Sequence, residues 1–188
     1  MSDETNLTNQ LLVAMPSLAD PNFNQAVALI CEHSVDKGAL GIVVNKPLPM
    51  TLSEVLSQMR LEASDVAIGA RSVLRGGPVH KDRGFVVHRP GGQWDSSHIV
   101  SKQIQVTTSR DVLEAMARGE GPPDAFIALG YAGWGAGQLE QELLDNAWLA
   151  LPLDEKIVFE TPFEDRWHAV WRRLGIDVAR LSNQAGHA

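Results

Sequence analysis

Apolar residues in this chain come in short runs with two different spacings. Leu11-Leu12-Val13-Ala14, Ala26 through Cys31, and Leu40-Gly41-Ile42-Val43-Val44 are nearly continuous. Such runs, bounded by turn-forming residues, predict buried strands. Asp36-Lys37-Gly38 separates the second from the third, which predicts an antiparallel hairpin. Pro47 and Pro49 are expected to stop its second strand. Gly84 to His88, Ile104 to Thr107, Phe126 to Leu129, Trp148 to Leu151 and Ile157 to Phe159 are further strand candidates.

The helical spacing appears elsewhere. Leu52, Val55, Leu56 and Met59 fall on one face after Thr51-Leu52-Ser53-Glu54, a capping box. Ser109 is placed to cap a helix carrying Val112, Leu113 and Met116, which stops at Gly119. A helix from Gln138 would turn Leu139, Leu143 and Leu144 inward. In the last long helix, Thr161 caps, Pro162 takes the first position and Glu164 completes a second capping box. Trp167, Val170, Trp171 and Leu174 form its stripe, and Gly175 suits a left-handed stop.

Strands and helices interleave, but the first hairpin is antiparallel, which disfavours a wholly parallel doubly wound sheet. The expected class is therefore α+β: a mixed, curved sheet or partly closed barrel flanked by helices. At 188 residues the chain suits a single domain with a sizeable core. Residues 1–8 and 183–188 are expected to be flexible ends.

Charge narrows the choice of partner. The net charge is −7, which argues against broad nucleic-acid affinity. Positive charge gathers between residues 69 and 102, at Arg71, Arg75, Lys81, Arg83, Arg89 and Lys102. The lone cysteine, Cys31, rules out an intramolecular disulfide and fits a reducing compartment. The acidic start and the brevity of the apolar run Leu11 to Met15 make export and membrane insertion unexpected.

Candidate chemistry is sparse. No Gly-x-Ser-x-Gly, His-Glu-x-x-His or Cys-x-x-Cys motif occurs, and no two histidines stand four apart, so neither a metal nor another cofactor is expected. Gly130 to Gly137 reads as a glycine-rich turn between a strand and a helix, where phosphate-cradling loops live. Its spacing fits neither common nucleotide loop, because no Gly-Lys-Ser/Thr follows and Glu140 stands where a third glycine belongs. Close packing around Tyr131 and Trp134 is the plainer account. Gly76-Gly77-Pro78 makes a tight turn before His80, Lys81 and Arg83, suited either to a carboxylate or phosphate or to an ordinary solvated edge. Cys31 and His33 would share a strand face, allowing an activated thiol, although a buried free cysteine is the commoner case.

Several of these segments resemble one family. Leu12-Val13-Ala14-Met15-Pro16 with Asp20-Pro21-Asn22-Phe23, Gly41-Ile42-Val43-Val44-Asn45-Lys46-Pro47, Gly76-Gly77-Pro78-Val79 with Asp82-Arg83-Gly84-Phe85-Val86-Val87-His88, Leu129 through Glu140, and Asp145-Asn146-Ala147-Trp148-Leu149 look like the AlgH/YqgE family, in its order and over nearly the whole chain. The resemblance implies a compact bacterial cytoplasmic α+β domain with a barrel-like sheet. It implies no established enzymatic activity. One branch carries a name tied to transcriptional regulation of alginate synthesis.

Three functions remain open. The first is a binding or regulatory module for a small ligand or protein partner. Its cleft would be built from Pro16, Asn45, Gly76, Gly77, Pro78, His80, Arg83, Tyr131, Gly133, Trp134, Gly135 and Gly137. The second is an enzyme acting in that cleft through His80, His88 or Arg83, and the third is a direct transcription regulator. The glycine-dense turns at Gly76 and Gly130 are expected to lie side by side, with Tyr131 and Trp134 forming one wall.

Overall fold

A computed structural model describes residues 6–185. Ten strands form one branched, curled sheet in the order β10-β1-β2-β3-β9-β6-β8-β7, with β4 and β5 off this path. They are β1 Gln10–Ala14, β2 Val27–Ser34, β3 Gly38–Val43, β4 Pro47–Thr51, β5 Ser72–Arg75, β6 Val79–His88, β7 Ser97–Ile99, β8 Gln105–Thr107, β9 Phe126–Trp134 and β10 Trp148–Pro152. All pairings are antiparallel except β5 with β9. The helices are α1 Leu52–Gln58, α2 Val66–Gly69, α3 Arg110–Ala117, α4 Gln138–Leu144, α5 Arg166–Arg173 and α6 Val178–Ala185. The α+β class and the mixed curved sheet are as the sequence predicts.

The continuous apolar runs have a simple cause: both sheet faces are covered. In β1, Leu11 and Val13 enter one core with Val27, Leu29, Trp167 and Trp171, while Leu12 and Ala14 enter another with Ala28, Trp134 and Trp148. A strand buried on both sides needs no polar alternate. The helix α5 covers the first face and α4 the second. A third cluster packs α1, α2 and α3 on Val73, Val86 and Ile127.

Other expectations change. Glycine density does not break β9, which runs on through Gly130 to Trp134 because β3 and β6 both pair with it there. The turn shrinks to Gly135–Gly137. Prolines 47 and 49 do not end the sheet; they sit in β4, which pairs only with β5 and so loses no ladder bond it needs. Ile157 to Phe159 is a π-helical turn, Lys156–Glu160, rather than a strand. The Asp154 carboxylate takes the Lys156 N–H at 2.9 Å, and Thr161 N–H closes the turn on the Lys156 carbonyl. The Thr161 hydroxyl also donates to that carbonyl, so it caps no α-helix, and a 3-10 turn at Phe163–Asp165 precedes α5. Leu144 and Leu174 lie outward, 77% and 37% exposed, whereas Trp167, Val170 and Trp171 are buried as expected. The short elements β5, β7 and α2 carry too few residues to be read from pattern, and α6 is not among the elements expected from it.

Leu7, in the segment expected to be flexible, is instead tied to the sheet. Leu7 is buried and its N–H donates to His33 Nδ1 at 3.0 Å. At the other end α6 reaches Ala185; residues 1–5 and 186–188 lie outside the described residues.

Candidate functional site

The two glycine-dense segments do lie side by side, and they touch through backbone. A Cβ on Gly76 would stand 2.2 Å from the Gly130 carbonyl oxygen, and one on Gly77 would stand 2.1 Å from the Tyr131 carbonyl carbon. These glycines allow close approach of β9 to the β5–β6 connection. They do not frame one cleft with the other expected residues. Tyr131 packs beside Phe85 and His80, with ring centroids 5.8 and 5.9 Å away. Trp134 points through the opposite face, against Phe23 and Trp148. An odd separation along one strand forces this, so Tyr131 and Trp134 form no common wall. Asn45 is buried, accepting the Val27 N–H and donating to the Gln25 carbonyl, each at 2.8 Å. Gly133 is exposed on β9, while Gly135 donates its N–H to Gln138 at the start of α4. Pro16 and Arg83 line two different cavities.

Arg83 belongs to a small cavity of about 250 Å³, with Cys31, Glu32, Phe85, Ser97 and His98 on its lining. A β-bulge shapes it. Ile30 pairs with Gly41 but Glu32 pairs with Leu40, so Cys31 is the extra residue. The bulge resets the alternation, and His33 turns to the far face, where it meets Glu140 of α4. Cys31 and His33 therefore do not share a face, contrary to the expectation from an even spacing. Cys31 is 2% exposed, and burial followed by the Glu32 charge pushes its thiol up to about 12. A thiolate nucleophile is scarce under those conditions. His88 is likewise enclosed, bonded to the Arg89 carbonyl and the Thr107 hydroxyl at 2.7 Å each, with desolvation lowering its pKa. His80 stays on the surface with φ of 45°. Among the described residues no cluster of three or more His, Cys, Asp or Glu is arranged to hold a metal ion.

The larger cavity, about 780 Å³, lies between α5 and the chain that follows it. The Trp167 indole donates to the Ala14 carbonyl at 2.9 Å, and the buried Arg166 donates to the Val44 carbonyl at 2.7 Å, which pins α5 across the first sheet face. Gly175, with φ of 71°, then reverses the chain. Its N–H returns to the Arg172 carbonyl and that of Ile176 to the Trp171 carbonyl, a Schellman closure. Asp177 accepts the Ala179 N–H and opens α6. The reversal carries Ile176 through Ala179 over the α5 face bearing His168, Trp171, Arg172 and Gly175, spaced i, i+3, i+4 and i+7. Pro16 closes the side below.

One atom in this wall stands out chemically. Trp171 is 1% exposed, yet its indole Nε1–H has no acceptor among the described residues. An indole nitrogen only donates, and burying such a donor unpaired costs about 1–3 kcal/mol. Sequence reading assigns Trp171 to the core stripe and gives no sign of an unpaired donor there. The signal available for the cavity is the pair His168 and Arg172 flanking an aromatic residue on the same helical face. Of the residues expected in a cleft, only Pro16 is here.

Comparison with known proteins places these features in context. The AlgH-like family model matches residues 11–179. A UPF0301 protein of Thioalkalivibrio sulfidiphilus is 56% identical over 188 residues, covering 100% of both chains. One from Xanthomonas campestris is 53% identical, over 98% of this chain and 97% of its own. The solution structure of the AlgH protein from Pseudomonas aeruginosa is 46% identical with a TM-score of 0.79, covering 100% of this chain and 99% of that one. A protein from Corynebacterium diphtheriae shares the fold, with a TM-score of 0.71 at 22% identity over 92% and 90% of the two chains. With a family match across both core faces and a relative identical at more than half its positions, this chain belongs to the AlgH-like family.

Proposed function

We propose that the chain is a small-molecule binding module whose site is the cavity between α5 and α6. Any influence on transcription is indirect, exerted through the ligand or a protein partner, and the working compartment is the cytoplasm. The observation that carries this reading is a cavity of ligand size, about 780 Å³, with His168 and Arg172 one helical turn apart on its wall. Catalysis is less well supported. Its candidate base His88 is fully enclosed, and burial holds the Cys31 thiol protonated. No helix of the described residues is long and apolar enough to cross a membrane.

The test is ligand capture. The purified chain is equilibrated with a bacterial small-molecule extract, washed and denatured, and the released compounds are identified by mass spectrometry. Retention of a compound by the native chain and its loss from Arg172→Gln, at an exposed position of the cavity wall, is the expected result. Equal retention by both, or none by either, would reject the assignment.

A further inference from the structure

Beyond the α5–α6 cavity, and independently of it, we infer that the small cavity lined by Arg83 and Glu32 binds a free α-amino acid. Arg83 holds the carboxylate and Glu32 the ammonium group. At about 250 Å³ the cavity is smaller than the roughly 300–1,000 Å³ of pockets for drug-sized ligands, and it suits a molecule of amino-acid size.

Both charges stand on irregularities of the sheet. Glu32 follows the bulged Cys31, where the pairing of β2 with β3 slips by one residue. Arg83 ends a longer slip in β6. There Val79 pairs with Tyr131 and Gly84 with Leu129, so His80 through Arg83 stand opposite Gly130 alone. Such irregularities re-aim side chains out of the regular alternation. In the sheet β3 and β9 separate β2 from β6, but the curl brings β7 back to β2, where the His98 Nε2–H donates to the Cys31 carbonyl at 3.3 Å. Glu32 and Arg83 thereby line one enclosure.

Every group assigned to the ligand is accessible. Arg83, Glu32 and Ser96 are exposed and Leu40 is half-buried. Phe85 and Val106, each 5% exposed, close the base and carry no part of the recognition. The Arg83 guanidinium is held over the Phe85 ring, 5.3 Å from its centroid, and no ion pair among the described residues takes it. Glu32 has the His98 imidazole at 3.7 Å, beyond hydrogen-bond reach. The Ser96 hydroxyl accepts that of Thr108 at 3.2 Å and so keeps its own proton to donate.

Two unlike charges that share a small cavity without pairing with each other define the polarity of the ligand. A simple anion would be repelled by Glu32 and a simple cation by Arg83. A molecule carrying both a carboxylate and an ammonium satisfies the two at once, with a charge-assisted bond at each end. Leu40 offers its side chain an apolar contact.

The test follows backbone amide signals in a nitrogen-15 spectrum while the standard L-amino acids are added singly at millimolar concentration. At least one is expected to shift the Glu32 and Arg83 signals saturably. Its deaminated carboxylate and its decarboxylated amine should each bind at least about threefold more weakly, within the worth of one exposed charged contact. Arg83→Gln should abolish the advantage of the amino acid over the amine, and Glu32→Gln its advantage over the carboxylate. Both positions are exposed, so the fold is retained. If the analogues bind as tightly as the amino acid, the zwitterion assignment is wrong. If no amino acid moves those signals, or only α5 and α6 respond, this cavity is not an amino-acid site, and the reading of the α5–α6 cavity is untouched.

Discussion

Gly77→Ala should be among the most damaging single-methyl additions in this protein. The new Cβ would sit 2.1 and 2.2 Å from the Tyr131 carbonyl carbon and oxygen and 2.5 Å from the Ala132 nitrogen. All three atoms are backbone. No side-chain rotation relieves them, and β9 is held on both edges, by Val79 of β6 beside Tyr131 and by Gly41 of β3 beside Ala132. Overpacking of this kind costs about 1–3 kcal/mol or more, and a φ of 157° adds backbone strain of about 1–3 kcal/mol. A total loss of about 2–6 kcal/mol follows. Gly137→Ala separates the two contributions: φ there is 75° but nothing lies within 4 Å of the added carbon, so strain alone should cost about 1–2 kcal/mol. Gly84→Ala, which would meet only side-chain carbons, of Ile127 at 3.4 Å and Leu129 at 3.9 Å, should cost least. Urea denaturation of the three variants measures the order directly. Equal losses for Gly77→Ala and Gly137→Ala would refute the backbone contact between the β5–β6 connection and β9. Failure of Gly77→Ala to fold, with the other two intact, would agree with it.

Other expectations can be checked on the same footing. Arg166→Met should destabilise by about 2–4 kcal/mol in urea, because the Val44 and Thr161 carbonyls lose their donor and Phe126 and Phe163 lose the guanidinium between them; a loss below about 0.5 kcal/mol would contradict that role. Folding keeps the Cys31 proton up to about pH 12, whereas the unfolded chain releases it near its ordinary value of 9.0, so stability should fall as pH rises between those values. Midpoints at about pH 8 and about pH 10.5 should then converge for Cys31→Ala, and an unchanged slope in that variant would assign the effect elsewhere. With a net charge of −7, the isolated chain should show no sequence-selective duplex binding near physiological salt in fluorescence anisotropy. Sub-micromolar selective binding would reverse that view and make residues 69–102 the first to mutate.

Local pattern was enough to identify most of the framework. The apolar runs at Leu11, Ala26 and Leu40 announce buried strands because a strand covered on both faces has no polar alternate. The Thr51–Glu54 box marks the start of α1, where the Glu54 carboxylate accepts the Thr51 N–H at 2.7 Å. The stripe of Trp167, Val170 and Trp171 marks α5. Glycine density at Gly76 and Gly130 correctly signals close backbone approach, since only residues without a Cβ permit it.

Tertiary structure decided the rest. Whether Gly130 ends a strand or continues it depends on β3 and β6 being there to pair, which no local spacing records. The bulge at Cys31 undoes an inference that even spacing makes compelling, because one extra residue sends His33 to the other face. The candidate site depends most on such context. Pro16 and Trp171 are 155 positions apart in the chain, and they meet only because the Trp167 indole finds the Ala14 carbonyl and Gly175 turns the chain back over α5. Sequence determined that Trp171 would be buried; only the folded arrangement determined that its N–H would be left without a partner among the described residues.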